Sequence, residues 1–206
     1  MYHDILSKQQ QELLHFIAQF KRSFYLVGGT AIAIQIGHRR SIDFDLFTLK
    51  KINKSLIRQR VFKLPYQKKT LFDDVDQIHF YINQVKITFF HYPYPVEHLK
   101  MLDGVISMPS LLSLAAMKAF ALGRRAKWKD YVDLYFLINS YFSVKEISTE
   151  ADKIYGQLFS EKLFREQLAF HKDIDFSEEV EFLPGFTVEE KEVKAFLTNV
   201  ALNGVI

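Results

Sequence analysis

Residues 24–47 read FYLVGGTAIAIQIGHRRSIDFDLF, and their patterning sets the expectation for the fold. The apolar run Phe24 to Val27 is expected to be a buried strand that breaks at Gly28-Gly29. Thr30 to Ile36 then continues as a helix closed by Gly37, a residue type favoured just past a helix end. The alternation of Ala and Ile in that segment also suits a strand. A helix is expected because a Gly-Gly break after a strand opens a helix here more readily than a hairpin. From Ile42 to Phe47, the apolar Ile42, Phe44 and Leu46 share one face and leave Asp43 and Asp45 on the other, because strand side chains alternate with period two.

That pattern brings two kinds of group together. Glycines ahead of a helix let backbone N–H groups approach a phosphate, since no Cβ intervenes and a helix N-terminus favours anions. In nucleotidyl transfer a hydroxyl attacks the α-phosphorus of a nucleoside triphosphate, and the barrier is mostly charge and alignment. Asp43 and Asp45 on one face can hold two magnesium ions that bridge the attacking and leaving oxygens. Gly28, Gly29 and the Thr30 hydroxyl would grip the β and γ phosphates. The chain contains neither G-x-x-x-x-G-K-[ST] nor G-x-G-x-x-G, so P-loop and dinucleotide-fold readings lose their main support.

Outward from this stretch, residues 5 to 21 have the spacing of an amphipathic helix with a capping box from Ser7 to Gln10. Residues 52 to 62 read as a second helix. Three strands are expected at about 66 to 72, 75 to 82 and 85 to 91, with turns at Asp73-Asp74 and Asn83-Gln84. Pro93 and Pro95 cannot continue a central strand. From Pro109 onward helical signals dominate, at roughly 109 to 122, 127 to 140, 143 to 156, 160 to 170 and 187 to 201, with capping boxes at Ser143 to Glu146 and Thr187 to Glu190. The acidic stretch 173 to 181 reads as a solvated loop.

The 206 residues are 49% apolar, enough for a substantial core. Lysines and arginines outnumber carboxylates 27 to 24, giving a net charge of +3. So small an excess permits a nucleic-acid partner without arguing for one. With no cysteine, disulfides, thiolate metal sites and a cysteine nucleophile are excluded. No run approaches the roughly 18 to 20 apolar residues of a membrane span, and MYHDILSKQQQELL lacks the charged and apolar regions of a signal peptide. A soluble cytoplasmic protein is expected.

Lys118 is the one charged residue between Gly104 and Gly123, on the stripe of Leu111, Leu114 and Ala115. A lysine there must snorkel, pair or bind an anion, because burying an unpaired ammonium is costly. Asp130 and Asp133 sit about one turn apart beside Lys129. The stripe Tyr131, Leu134, Tyr135 and Ile138 leaves Lys129, Asp130 and Asp133 to face a cleft or solvent. Arg39, Arg40, Arg124, Arg125 and Lys127 form two basic clusters that can neutralise a triphosphate or an RNA backbone, although each taken singly reads as a solvated loop charge. His38 reads as a turn residue and Trp128 as core.

The string VGGTAIAIQIGHRRSIDFDLF resembles the motif of the AbiEii-type nucleotidyltransferases, toxin components of abortive-infection and type IV toxin-antitoxin systems within the DNA polymerase beta superfamily. VKITFFHYPYP and AAMKAFALGRRAKWKDYVDLYFL continue the resemblance, which covers roughly Tyr25 to Leu137. It implies Gly28, Gly29 and Thr30 on the triphosphate, Asp43 and Asp45 on metal, and Lys118, Lys129 and Asp130 completing the nucleotide side. It also implies a nucleoside triphosphate substrate, an RNA acceptor such as a tRNA end or a protein hydroxyl, and a cognate antitoxin as partner.

One position departs from the pattern. Polymerase-beta-like enzymes carry a third carboxylate on a later strand, and the corresponding residue here is Thr88. Three alternatives stand: Asp130 or Asp133 takes over, the metal alone activates the hydroxyl, or the protein binds nucleotides without transferring them. The expected architecture is α/β (α+β): a polymerase-beta-like nucleotidyltransferase core with a mixed sheet over residues 1–95, then a helical domain over 96–206 completing the nucleotide cleft.

Overall fold

The computed structural model describes residues 1–203. The chain forms two compact units, residues 1–35 with 41–109 and residues 36–40 with 110–206. The division expected at 95/96 thus falls at 109/110, and the short segment between the Gly-Gly helix and the acidic strand belongs with the helical residues.

The first unit holds a mixed α/β arrangement. Its elements are α1 (Lys8–Ala18), β1 (Tyr25–Val27), α2 (Gly28–Ile36, whose last residue passes into the second unit), β2 (Phe44–Thr48), α3 (Lys54–Phe62), β3 (Lys68–Asp74), β4 (Gln77–Ile82) and β5 (Val85–His91). β6 (Lys100–Leu102) and β7 (Ile106–Met108) follow. The five-stranded sheet runs β1-β2-β5-β4-β3, with β2 and β5 parallel and the other neighbours antiparallel. Phe44, Leu46, Ile78, Phe80, Ile87 and Phe89 are buried on one face of it. Phe20 closes over that face, its ring 4.8 Å from Phe89. Each fully buried side chain of this size contributes about 1.5–3 kcal/mol, so the alternation that defined the strands also fixes which face is core.

Several expectations shift in detail. β2 begins at Phe44, so Ile42 lies in the lead-in and is 52% exposed. The β3–β4 hairpin turns at Val75-Asp76, because Asp73 and Asp74 still pair with Ile78 and Gln77. Asn83 and Gln84 do form the β4–β5 turn, both at positive φ (50° and 66°), as a two-residue hairpin loop with the strand twist requires. The β6–β7 hairpin was not expected, yet Asp103-Gly104, with φ of 45° and 71°, is the dipeptide type that favours such turns.

The second unit is helical: α4 (Leu111–Leu122), α5 (Trp128–Ser140), α6 (Val144–Tyr155), α7 (Glu161–Ala169) and α8 (Glu190–Asn203). Ser143 caps α6 through the expected reciprocal box with Glu146, as Ser7 caps α1 with Gln10. α4 packs against α5, α6 and α7. It buries Leu114, Ala115, Ala116, Ala119 and Leu122 together with Lys118, so a charge lies inside the helical core.

Candidate functional site

The acidic strand and the Gly-Gly helix meet in the first unit. Gly28 has φ +76°, and a Cβ there would collide with Oδ2 of Asp45 and stand 3.2 Å from its Cγ. A left-handed backbone and a close approach thus coincide at one residue, and only glycine satisfies both without strain. The Asp45 carboxylate therefore sits against the first residue of α2. The N–H groups of the first helical turn lack intrahelical acceptors and carry the positive end of the helix dipole. A cation on Asp45 and an anion on these amides would lie side by side. Asp43 is half-buried just before β2, in phase with Asp45 across buried Phe44.

Thr30 is 1% exposed. Its hydroxyl donates to the Asp43 carbonyl and lies 2.9 Å from Ser41 Oγ. It was expected on phosphate; the structure uses its side chain to fasten α2 to the lead-in of β2. Gln10 adds a second tie, with Nε2 donating to the Ser41 carbonyl at 2.9 Å. Ser41 was not singled out in the sequence and Gln10 was read only as a capping residue; their contacts span 11 and 31 residues, which no local period reports.

Thr88 lies directly opposite Asp45 on β5, where a third carboxylate would complete the acidic row. Among the described residues, no group of three or more His, Cys, Asp or Glu is placed to hold a metal. Magnesium does not require one, since it commonly takes one or two carboxylates and fills its shell with substrate phosphate oxygens and water. Asp45 against the start of α2, with Asp43 two residues before it, fits that chemistry.

The other expected residues gather in the second unit as an ion network. Asp133 is fully buried and accepts from Arg39 Nε at 2.7 Å, Arg39 Nη2 at 2.9 Å and His38 Nε2 at 2.7 Å. Lys118 Nζ stands 2.9 Å from Asp133 Oδ2 and 2.6 Å from Asp130 Oδ1, and Arg125 Nε donates to Asp130 Oδ2 at 2.9 Å. Burial opposes ionisation of Asp133, but Arg39 and Lys118 outweigh it and hold its carboxyl well below the usual range. Burial likewise disfavours the Lys118 ammonium, and Asp130 and Asp133 reverse the effect, leaving its pKa raised.

Arg39 therefore departs from its expected place on a nucleotide and from the reading as a solvated charge. It is 1% exposed, and its remaining terminal nitrogen donates to the Arg40 carbonyl. Asp130 and Asp133, expected to face a cleft or solvent, are 1% and 0% exposed. His38 is likewise internal, 0% exposed, rather than a surface turn residue. Lys129 pairs with Glu178 at 3.0 Å, and Lys127 also reaches that carboxylate. The acidic loop is thus tied down: burial would raise the Glu178 pKa, but the two lysines bring it to about 2. Trp128 is 9% exposed, packed as expected.

Known proteins are similar to this chain in fold and in sequence. Solved structures similar in fold include MenT4, a nucleotidyltransferase toxin from Mycobacterium tuberculosis H37Rv (TM-score 0.61, 13% identity, 94% of this chain and 80% of that one). A candidate nucleotidyltransferase of Helicobacter pylori matches with TM-score 0.59 and 18% identity over 95% and 94% of the two chains. In sequence, an uncharacterised protein of Aquifex aeolicus (strain VF5) is 33% identical over 195 residues, covering 91% of this chain and 86% of its own. Residues 13–201 match the family described as Nucleotidyl transferase AbiEii toxin, Type IV TA system. With a mixed five-stranded sheet, a glycine-opened helix against its acidic strand and a match along most of its length, the chain belongs to the AbiEii nucleotidyltransferase toxin family.

Proposed function

We propose that this protein transfers a nucleoside monophosphate from a nucleoside triphosphate to an acceptor hydroxyl, on RNA such as a tRNA end or on a protein, with release of pyrophosphate. It would do so as the toxin of a toxin-antitoxin pair in the cytoplasm, restrained by a cognate antitoxin. The observation that carries this reading is the Asp45 carboxylate seated against Gly28 at the start of α2. Asp43 and Asp45 would hold magnesium, which supplies charge neutralisation at the triphosphate. The first-turn amides of Gly28, Gly29 and Thr30 would orient the phosphates. Thr30 and Ser41 would keep α2 and the acidic strand at fixed separation, which matters because alignment is a large part of the barrier.

Incubation with labelled nucleoside triphosphates, magnesium and total RNA or total protein should yield a labelled product. The D43A/D45A variant should yield none, and equal labelling by that variant refutes the proposal. A second reading, a nucleotide-binding module without turnover, draws on Thr88 beside Asp45, since a threonine hydroxyl cannot act as a base near neutral pH. Calorimetric binding of magnesium nucleotide without product from any acceptor would favour it.

A further inference from the structure

The sheet row that contains Asp45 and Thr88 continues one strand further. β5 and β4 pair Thr88 with His79, and β4 and β3 pair His79 with Phe72. Directly opposed residues project to the same face, with Cβ atoms about 4.5–5.5 Å apart in an antiparallel pair. Asp45, Thr88 and His79 therefore stand in line on the face away from Phe44, Ile87 and Phe80. The imidazole at 79 thus stands one strand beyond Thr88 in the row that Asp45 begins. His79 is half-buried, between buried Ile78 and Phe80 in sequence.

Its ring is held from two sides. Nε2 is 2.9 Å from Gln77 Oε1, and the Phe72 ring lies 5.3 Å away from the strand opposite Thr88. With Gln77 Oε1 accepting, Nε2 carries the hydrogen and Nδ1 presents a lone pair. The charged groups on this face are Asp45 from β2 with Asp43 two residues before it, Lys86 from β5, and Asp74 and Lys69 from β3, opposite Gln77 and Tyr81 of β4. Burial and Lys86 push the His79 pKa down, and Asp45 pulls it partly back. The net direction favours the neutral ring near pH 7.

We propose that His79 accepts the proton of the attacking hydroxyl, the role that Thr88 cannot fill beside Asp45. This rests on the transfer reaction proposed above. The acceptor oxygen would form its bond to the α-phosphorus as its proton passes to Nδ1 of His79. The bond from the α-phosphorus to the bridging oxygen would break, and pyrophosphate would leave with that electron pair. The imidazolium would then return its proton to water.

The test uses the full chain with His79→Gln and His79→Ala, labelled nucleoside triphosphates, magnesium and total RNA or protein, with rates measured from pH 5.5 to 9. General-base catalysis is worth about 10²–10⁴-fold. Both variants should therefore be slower by about 100-fold or more at pH 7, and should lose the acid limb that the wild-type profile shows. Magnesium-nucleotide binding by calorimetry should be unchanged, which separates a lost base from a lost fold. A variant that keeps the wild-type rate, keeps the acid limb, or loses binding in step with rate overturns the role of His79. If the wild-type protein transfers nothing to any acceptor, the proposed function fails and His79 with it. If wild type and His79→Gln are equally active, only the role of His79 fails.

Discussion

Replacing Asp133 by Asn tests whether the buried network holds the helical unit together. The side chain keeps its shape but loses the charge that faces Arg39, Lys118 and His38, all within 2.9 Å. Arg39 and Lys118 have side chains only 1% and 7% exposed, so water cannot replace the lost partner. Breaking such a pair from one side costs about 3–5 kcal/mol, because an uncompensated charge stays buried. In a chain of this size about 1 kcal/mol moves the melting midpoint by 2–4 °C, so Asp133→Asn should melt roughly 6–20 °C lower. The direction with pH follows from the depressed carboxyl. A carboxyl with a lower pKa in the folded state contributes stability that is complete above its unfolded value and fades as pH falls through the folded one. The gap between wild type and Asp133→Asn should thus be full at pH 7 and narrow only in strong acid, below the ordinary carboxylate range. Circular dichroism melts and urea titrations at pH 7 and in acid measure both. The R39M/D133L pair, which removes both charges and keeps apolar volume, should recover most of the loss. A single Asp133→Asn variant within ~0.5 kcal/mol of wild type, as for an ordinary surface substitution, would refute the reasoning.

Gly28→Ala should cost about 1–3 kcal/mol from its left-handed backbone alone. By displacing the Asp45 carboxylate it should also abolish magnesium-nucleotide binding in calorimetry; binding at wild-type affinity would contradict the close approach seen there. Thr30→Val removes the hydroxyl that ties α2 to the Asp43 carbonyl and to Ser41. It should cost about 1–3 kcal/mol in a urea titration and weaken nucleotide binding through the position of β2.

How the chain could be read depended on how far each signal reaches. The helices and the strands of the main sheet lay close to their expected places because their buried faces repeat with periods of 3.6 and 2, which are local properties. The Gly-Gly break and the aspartate pair were visible for the same reason. β6 and β7 were passed over because three residues are too few for a period to show and neither is a continuous apolar run like the one that marked β1, although Asp103-Gly104 marked their turn. Lys118 was singled out as a charge on an apolar stripe, and pairing was one of its allowed fates. Its partners Asp130 and Asp133 were read as outward-facing, because one helix's stripe cannot show what neighbouring chain covers the opposite side.

The sequence by itself determined the class of fold, the order of its elements and the placing of a glycine-opened helix beside paired carboxylates in residues 28 to 45, since these rest on periodicity, glycine and alternation within a short span. Only the tertiary structure decided that Thr30 is a fastener, that Arg39 and His38 are internal partners of Asp133, and that Thr88 and His79 share a row with Asp45. The Arg39–Asp133 contact joins residues 94 positions apart. Whether such a charge is solvated or buried is set by the packing that closes over it, which no local stretch of sequence records.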